Sequence, residues 1–426
     1  MRAFAIIGPA GAGKTTLARA LAGLDGGGVE TPFGEGLGLH AFRYLGEGWT
    51  AIDAPGGAEH MGQAARAALV ADAAVIVAPP EPEAAALVAP YIRLVEAAGA
   101  PAFLFVNRMD QFEGRARESV AALQAYANHA IVLRQVPIRS GGHVSGAVDL
   151  ISERAWRYRD GEPSTLVELP SELKPREEEA RAQLLETLAD FDDALLEQLL
   201  EDKEPPTEDL FSLMAEVHRK NALIPAYLGA ASHLNGVTRL MKALRHEAPA
   251  AEATRARLGG AAVALAEAES RKHLGKVVLA RDFAGGLAQG ATLAGAAIGA
   301  LLGLDGKPAT GAIPPGGFAL TARAEHLVPG TLAEEGEARP LGAPARPAAL
   351  TRILVPASDK DDAKLSAALA RLCAADPDLE IGQDGESGAA TVALPGPLRL
   401  RGLLERLESE FGVKAAAEPA PAARRE

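Results

Sequence analysis

The stretch that decides the fold is RAFAIIGPAGAGKTT, residues 2–16. Residues 2–7 are an apolar run that predicts a buried strand, and the next eight residues match the pattern G-x-x-x-x-G-K-[ST]. The run KTTLARALAG then predicts a helix that ends at a glycine. A strand, this loop and a helix in that order predict a phosphate-binding P-loop in an α/β domain.

The P-loop predicts which residues contact a nucleotide. Successive backbone N–H groups at a helix N-terminus form an anion nest, and glycines permit its tight curve. Lys14 reaches the β- and γ-phosphates, and the Thr15 hydroxyl ligates Mg²⁺. The predicted nucleotide contacts of the loop are Gly8, Pro9, Ala10, Gly11, Ala12, Gly13, Lys14, Thr15 and Thr16.

A second motif, IDAPGG at residues 52–57, places a carboxylate at the end of another apolar segment. Asp53 is predicted to act on Mg²⁺ from its outer shell, and Gly56 to sense the γ-phosphate. Thr15 and Asp53 are the candidate metal site. The candidate catalytic residues are Lys14, Thr15, Asp53, Gly56 and His60.

The tetrapeptide NRMD, residues 107–110, follows a third apolar segment and predicts the base. The Asp110 carboxylate can accept both N–H groups on the guanine edge, whereas adenine would leave it unsatisfied. Asn107 can bond the other edge of the base and brace the P-loop, and the plane of Arg108 can cover the base face. Because open α/β sheets bind ligands at the carboxyl ends of strands, we expect GTP or GDP here.

The pattern of elements predicts a multidomain α/β plus β protein. Strands alternate with helices in the first part of the chain, which predicts a doubly wound, mostly parallel sheet. Residues 134–170 look irregular and residues 171–220 look helical, so the first domain has a predicted helical insertion. The predicted domains are a P-loop G domain over 1–250 (insertion about 134–222), a β-barrel over 258–336, a ferredoxin-like α+β domain over 350–415 and a low-complexity tail over 416–426.

Composition argues against several classes of protein. The formal net charge of −13 disfavours a protein that coats nucleic acid, and we expect no sequence-specific DNA partner. Cys373 is the single cysteine, so no internal disulfide forms and a reducing compartment is expected. The most apolar window, residues 287–304, is rich in glycine and predicts short strands rather than a membrane span.

Taken in order, these motifs resemble elongation factor G, the translational GTPase, over essentially the whole chain. GPAGAGKTTL, DAPGG and FVNRMD resemble its GTPase motifs, and HLGKVVLARDFAGGLAQGATL and DKDDAKLSAALARLCAADPDLEIGQ resemble its second and third domains. LGAASHLNGVTRLMKAL resembles its last base-contacting loop, which adds Ala230 and Ala231 to the predicted base site. The resemblance implies GTP hydrolysis with Mg²⁺ and action with the ribosome, by a cytoplasmic monomer.

Departures from that family pattern put hydrolysis in question. Gly57 stands where the family has a water-orienting histidine. His60, three residues later, can swing in as a replacement, but a solvated residue at the start of the next helix is the simpler interpretation. Only 37 residues separate Thr15 from Asp53, so the segment that carries a second Mg²⁺-ligating threonine is reduced. Thr31 is a candidate for that ligand, but a loop residue is the simpler interpretation.

Two further departures and two alternative functions complete the prediction. LPGPLRL stands where the family has a histidine-containing, glycine-rich segment, and the chain ends before the family's fourth and fifth domains. We expect an elongation factor G-like GTPase with weak turnover. A non-hydrolysing GTP-binding interaction module is favoured by Gly57 and the short segment before Asp53. A P-loop ATP-dependent phosphotransferase is disfavoured by Asp110 and by the downstream domains.

Overall fold

The computed structural model describes residues 1–140, 142–343, 348–385 and 387–420, and the chain forms two compact units. The first unit comprises Met1–Pro32, Gly36–Gly56 and Ala67–Gly259. The second comprises Phe33–Glu35, Gly57–Arg66 and the chain from Gly260 onward. The end of the predicted tail, 421–426, lies outside the described residues.

The first unit is built on a sheet with helices on both faces. Its strands are β1 (Arg2–Ile7), β2 (Gly28–Phe33), β3 (Leu37–Tyr44), β4 (Glu47–Asp53), β5 (Ala73–Ala78), β6 (Ala102–Val106), β7 (Ala130–Leu133), β8 (Gln135–Ser140), β9 (His143–Asp149), β10 (Ala155–Arg159), β11 (Glu162–Val167) and β12 (Leu223–Leu228). Its helices are α1 (Lys14–Ala22), α2 (Met61–Val70, which begins in the second unit's segment), α3 (Ala85–Ala97), α4 (Ala116–Gln124), α5 (Lys174–Ala189), α6 (Asp193–Leu200), α7 (Thr207–Arg219), α8 (Val237–Glu247) and α9 (Ala251–Arg257).

The main sheet has the strand order β2-β3-β4-β1-β5-β6-β12-β7. Neighbouring strands from β4 to β7 run parallel, and β3 pairs antiparallel with β4. Strands β5, β6 and β12 are buried along their whole length, as expected for parallel strands covered on both faces. The predicted doubly wound, mostly parallel sheet is confirmed.

Two segments of the first unit differ from the sequence-based expectation. Residues 134–170, predicted to be irregular, form an antiparallel sheet with the order β11-β10-β9-β8. The prediction was wrong because Pro137 and Gly146 lie within these strands, and such residues are depleted in strands. Thr31, interpreted as a loop residue, lies in β2, because β2 and β3 occupy the chain between α1 and β4.

The second unit contains β-rich and α+β parts. Its strands are β13 (Val263–Arg271), β14 (Gly275–Asp282), β15 (Thr292–Leu293), β16 (Ala296–Ala297), β17 (Ala300–Leu302), β18 (Gly317–Ala322), β19 (Thr331–Ala333), β20 (Ala338–Pro340), β21 (Leu350–Pro356), β22 (Glu380–Gln383), β23 (Ala390–Leu394) and β24 (Ala415–Pro419). Its helices are α10 (Asp362–Ala375) and α11 (Pro397–Phe411).

The β-rich part has the order β17-β18-β14-β13-β19-β20, with β15 and β16 paired separately. The window 287–304 thus forms short strands, and the part of the chain described here has no helix long and apolar enough to cross a membrane. The α+β part has the order β22-β23-β21-β24 with antiparallel neighbours, which is the predicted ferredoxin-like arrangement. Its last strand reaches Pro419, so the tail predicted from residue 416 begins too early.

Candidate nucleotide-binding site

The predicted site residues of the first unit follow the carboxyl ends of parallel strands. The P-loop leaves β1 and enters α1, Asp53 ends β4, Asn107 follows β6, and Ala230 follows β12. In the sheet order, β4 lies beside β1 and β6 lies beside β12, and all four run in one direction. Open α/β sheets bind ligands at the carboxyl ends of their parallel strands, and the fold brings these segments together there.

The backbone conformation and the surroundings of Gly13 in the P-loop both disfavour a side chain at that position. Gly13 has a φ of 93°, and a Cβ on it would lie 2.4 Å from the Asn107 side-chain nitrogen. Lys14, which is 7% exposed, donates from Nζ to the Pro9 carbonyl at 3.0 Å across the loop. Burial lowers the pKa of Lys14, and the Asp53 carboxylate opposes that shift. The ammonium group thus lies within the loop, beside Gly56. A Cβ added at Gly56 would lie 2.6 Å from Nζ.

Thr15, which is exposed, and Asp53, which is buried, form an oxygen pair at the mouth of the P-loop. The Thr15 hydroxyl donates to Asp53 Oδ2 at 2.5 Å, and Asp53 Oδ1 is buried with no hydrogen-bond partner in the described part of the chain. Burial raises the pKa of Asp53, while the Thr15 hydrogen bond and the Lys14 charge oppose the rise. Hydroxyl and carboxylate oxygens are the ligands that Mg²⁺ prefers, so these residues fit the metal of a bound nucleotide.

Asn107 joins the P-loop to the loop that follows β12. Its side-chain N–H donates to the Ala12 carbonyl at 2.9 Å, and its side-chain oxygen accepts from the Ala231 N–H at 2.9 Å. Asn107 is 4% exposed. Backbone hydrogen bonds between Ala230 and Asn235 close the second loop. The amide therefore holds the predicted phosphate loop and the predicted base loop in one arrangement.

Arg108 and Asp110 lie at the predicted base site. Arg108 has a positive φ of 61° and donates from its guanidinium to the Gly11 carbonyl, so its side chain crosses to the P-loop. Asp110 Oδ1 is buried without a hydrogen-bond partner among the described residues. Its Oδ2 lies 3.5 Å from His233 Nε2. An unpaired buried carboxylate oxygen at this place fits a ligand that donates N–H groups.

His233 lies in the loop that follows β12, near the predicted base site, where the sequence favours a surface loop histidine as the default interpretation. Its Nδ1 lies 2.6 Å from Asp160 Oδ1 at the turn between β10 and β11, and that hydrogen bond raises the pKa of His233. The imidazole thereby links the insertion to Asp110. A single histidine in the loop ASHLNG gives no local signal of this contact, which depends on where the insertion folds.

Gly57 and His60 belong to the second unit. Gly57 has a φ of 111°, and His60 Nδ1 lies 2.8 Å from Gln63 Oε1. The Gln63 amide in turn donates to the Glu35 carbonyl at 3.5 Å. The His60 ring, in the short turn before α2, is therefore held by Gln63 of α2, and its assignment as a catalytic residue stays a prediction.

His40 is a second residue that the sequence analysis does not single out. It lies on β3, is 2% exposed, and its Nδ1 is 4.0 Å from Glu30 Oε2. Burial lowers the pKa of His40, and the carboxylates of Glu30 and Asp53 oppose that shift. Its Nε2 has no hydrogen-bond partner within the described ranges. The available sequence signal for His40 is its alternating position in β3, whose first residues lie beside Asp53.

Comparison with known proteins identifies related families over most of the chain. Residues 39–250 match the family described as Elongation factor Tu GTP binding domain. Residues 347–419 match the family described as Elongation Factor G, domain III. The P-loop precedes the first matched range, so its assignment depends on the motif and on the geometry above.

Three similar proteins extend the comparison. An Elongation factor G-like protein of Synechocystis sp. is 30% identical over 96% of this chain and 66% of its own length. Elongation factor G of Thermotoga neapolitana is 26% identical over 85% of this chain and 56% of its own length. A protein of Thermus thermophilus with a known crystal structure has a TM-score of 0.83 and 26% identity, covering 98% of this chain and 67% of that one. The chain thus spans between about half and two thirds of these relatives.

Proposed function

Because the chain belongs to the family of elongation factor G-like translational GTPases, we propose that it binds GTP and GDP with Mg²⁺ at this site. The observation that carries the proposal is the Asn107 amide, which joins Ala12 of the P-loop to Ala231 of the base loop. A ligand that needs both loops is a nucleotide with a phosphate chain at one end and a base at the other. Asp110, with its unpaired buried oxygen, selects guanine.

In this proposal each residue has a distinct role toward the nucleotide. Lys14 binds the phosphates as a point charge within the backbone nest of Gly8–Thr16. Thr15 and Asp53 hold Mg²⁺, which when bound neutralises phosphate charge. Gly56 senses the γ-phosphate, since it lies against Lys14 and tolerates no side chain there.

We propose that GTP hydrolysis is weak. Gly57 offers no side chain to orient an attacking water, and loss of such a group typically costs a factor of roughly 10²–10⁴ in rate. The chain between α1 and Asp53 is folded into β2 and β3, and Thr31 is part of β2. Binding suffers less, because Lys14, Thr15 and Asp110 make their contacts in the ground state.

The ribosome is the proposed partner, because similar proteins are named elongation factor G. We further propose, from the resemblance to elongation factor G, that the protein acts as a monomer in the cytoplasm. The second candidate function is a GTP-binding module that does not hydrolyse the nucleotide. Gly57 and the folded β2–β3 segment favour this alternative over a phosphotransferase, which Asp110 disfavours.

A titration of the purified chain with fluorescent GDP, GTP and ATP analogues tests the binding proposal. We expect guanine nucleotides to bind far more tightly than ATP. Asp110→Asn should shift the preference toward xanthine nucleotides, because an amide presents a donor where guanine also presents one. Equal affinity for ATP and GTP would refute the assignment. Single-turnover hydrolysis with ribosomes then separates a weak GTPase from a non-hydrolysing module.

A further inference from the structure

His40 and Asp53 lie on the same face of the main sheet. Strand β3 pairs with β4 so that Gly38 lies opposite Asp53, His40 opposite Ala51 and Phe42 opposite Trp49. Directly opposed residues of an antiparallel pair share a face. Phe42 and Trp49 belong to the core cluster that includes Leu17 and Leu21 of α1. His40 therefore stands on the face covered by α1, two residues from the edge where Asp53 ends its strand.

The missing side chain of Gly38 leaves a space that both the His40 imidazole and the Asp53 carboxylate border. A Cβ built on Gly38 would lie 3.1 Å from His40 Nε2 and 3.7 Å from Asp53 Oδ2. Nε2 is thus turned along the strand toward Asp53, into the space that any other residue at position 38 would fill. His40 reaches the metal end of the predicted site only because this position is glycine.

Two polar atoms of these residues lack partners in the described ranges, whereas Asp53 Oδ2, the carboxylate oxygen closest to Gly38, accepts from Thr15. Neither His40 Nε2 nor Asp53 Oδ1 has a hydrogen-bond partner in the described ranges, although both are buried. The other ring nitrogen faces Glu30, whose carboxylate is held by Arg19 through hydrogen bonds of 2.9 and 2.8 Å. A carboxylate on that side favours the proton on Nδ1 and leaves Nε2 as an acceptor. Each of these two atoms has an unused hydrogen-bonding position for a ligand or a water molecule at the site.

We propose that His40 is a positioning residue for the hydration shell of Mg²⁺, accepting through Nε2 a hydrogen bond from a water molecule bound to the metal. Mg²⁺ keeps several of its waters in protein sites and prefers oxygen ligands, so an imidazole suits its outer shell. This inference rests on the proposed binding of a magnesium nucleotide. It supplies a polar contact from β3, in the segment where the second Mg²⁺-ligating threonine was expected and not found.

The test compares GDP affinity across Mg²⁺ concentrations for wild type, His40→Leu, His40→Gln and His40→Asn. His40→Leu keeps a side chain of similar volume but removes its polar atoms. We expect the Mg²⁺ concentration for half-maximal tightening of GDP binding to rise about 10-fold in this variant. His40→Gln places its amide near the position of Nε2 and should restore the value to within about twofold of wild type. His40→Asn places its amide near Nδ1 and should not. GDP affinity in excess EDTA should be equal in all four proteins.

Other outcomes overturn the inference in distinguishable ways. If His40→Leu has the Mg²⁺ dependence of wild type, His40 is a packing residue. If His40→Leu does not fold, the comparison of Gln with Asn still decides, since equal Mg²⁺ dependence of those two contradicts a role for Nε2. If GDP affinity falls equally with and without Mg²⁺, the effect comes from the fold. A wild type that does not bind GDP at all refutes the proposed function and with it this inference.

Discussion

Replacing Asn107 with alanine tests the joint between the phosphate loop and the base loop. The amide donates to the Ala12 carbonyl and accepts from the Ala231 N–H, both at 2.9 Å. Asn107→Ala removes both hydrogen bonds together. Ala12 and Ala231 are only 1% and 2% exposed, so water cannot easily replace the lost partner at either loop.

The magnitude follows from the two groups left unpaired. A buried donor or acceptor without a partner costs about 1–3 kcal/mol, so the variant, which leaves two such groups, should lose roughly 2–6 kcal/mol of unfolding free energy in the first unit. The nucleotide binds the two loops in the arrangement that Asn107 holds. Without Asn107, part of the free energy of nucleotide binding is used to restore that arrangement, so binding weakens. A penalty of about 1.4–2.8 kcal/mol corresponds to about a 10- to 100-fold rise in the Kd for GDP.

Fluorescence titration with a GDP analogue measures the Kd, and urea denaturation measures the free energy of unfolding. The matched control is Asn128→Ala, since Asn128 is exposed and its amide donates only to Glu96 at 2.8 Å. We expect the control to change stability by no more than about 1 kcal/mol and to leave the Kd unchanged. An Asn107→Ala variant with wild-type GDP affinity would refute the view that this amide organises the site.

Three further predictions concern Lys14, Gly57 and Arg66. Lys14→Ala should raise the Kd for GDP by about 10- to 100-fold through loss of a charge-assisted bond to phosphate, and an unchanged Kd would show that the P-loop is not the site. Gly57→His should raise single-turnover GTP hydrolysis with ribosomes by about tenfold or more, at a stability cost of about 1–3 kcal/mol because a φ of 111° with a ψ of 159° is a backbone conformation adopted almost only by glycine. Robust wild-type turnover that collapses in His60→Ala would instead assign the role to His60. Arg66→Ala should destabilise the second unit to urea by about 3–5 kcal/mol, since Arg66 is 4% exposed and binds Glu267 at 2.6 Å and Asp378 at 2.8 and 3.0 Å. The exposed Arg401→Ala is its control, and equal stability of the two variants would contradict a structural role for this ion cluster.

Local sequence predicted the elements whose signals lie within a few residues. The strand, P-loop and helix of residues 2–22 form as expected, because glycine, lysine and threonine at fixed spacing dictate both the turn and its chemistry. The β-α-β-β-α-β pattern of residues 350–415 likewise predicted its sheet, since periodicity marks each element by itself. The family follows from the order of such motifs along the chain.

Tertiary structure decided the features that depend on pairing between distant segments. The antiparallel sheet of β8–β11 was missed because Pro137 and Gly146, which have low strand propensity, lie within its strands, so that pairing rather than propensity stabilises them. The double contact of Asn107, the placement of His233 beside Asp110 and the approach of His40 to Asp53 depend on strand register. A sequence specifies which polar groups exist, but a shift of one residue in register would turn His40 to the opposite face and leave Asp53 without it.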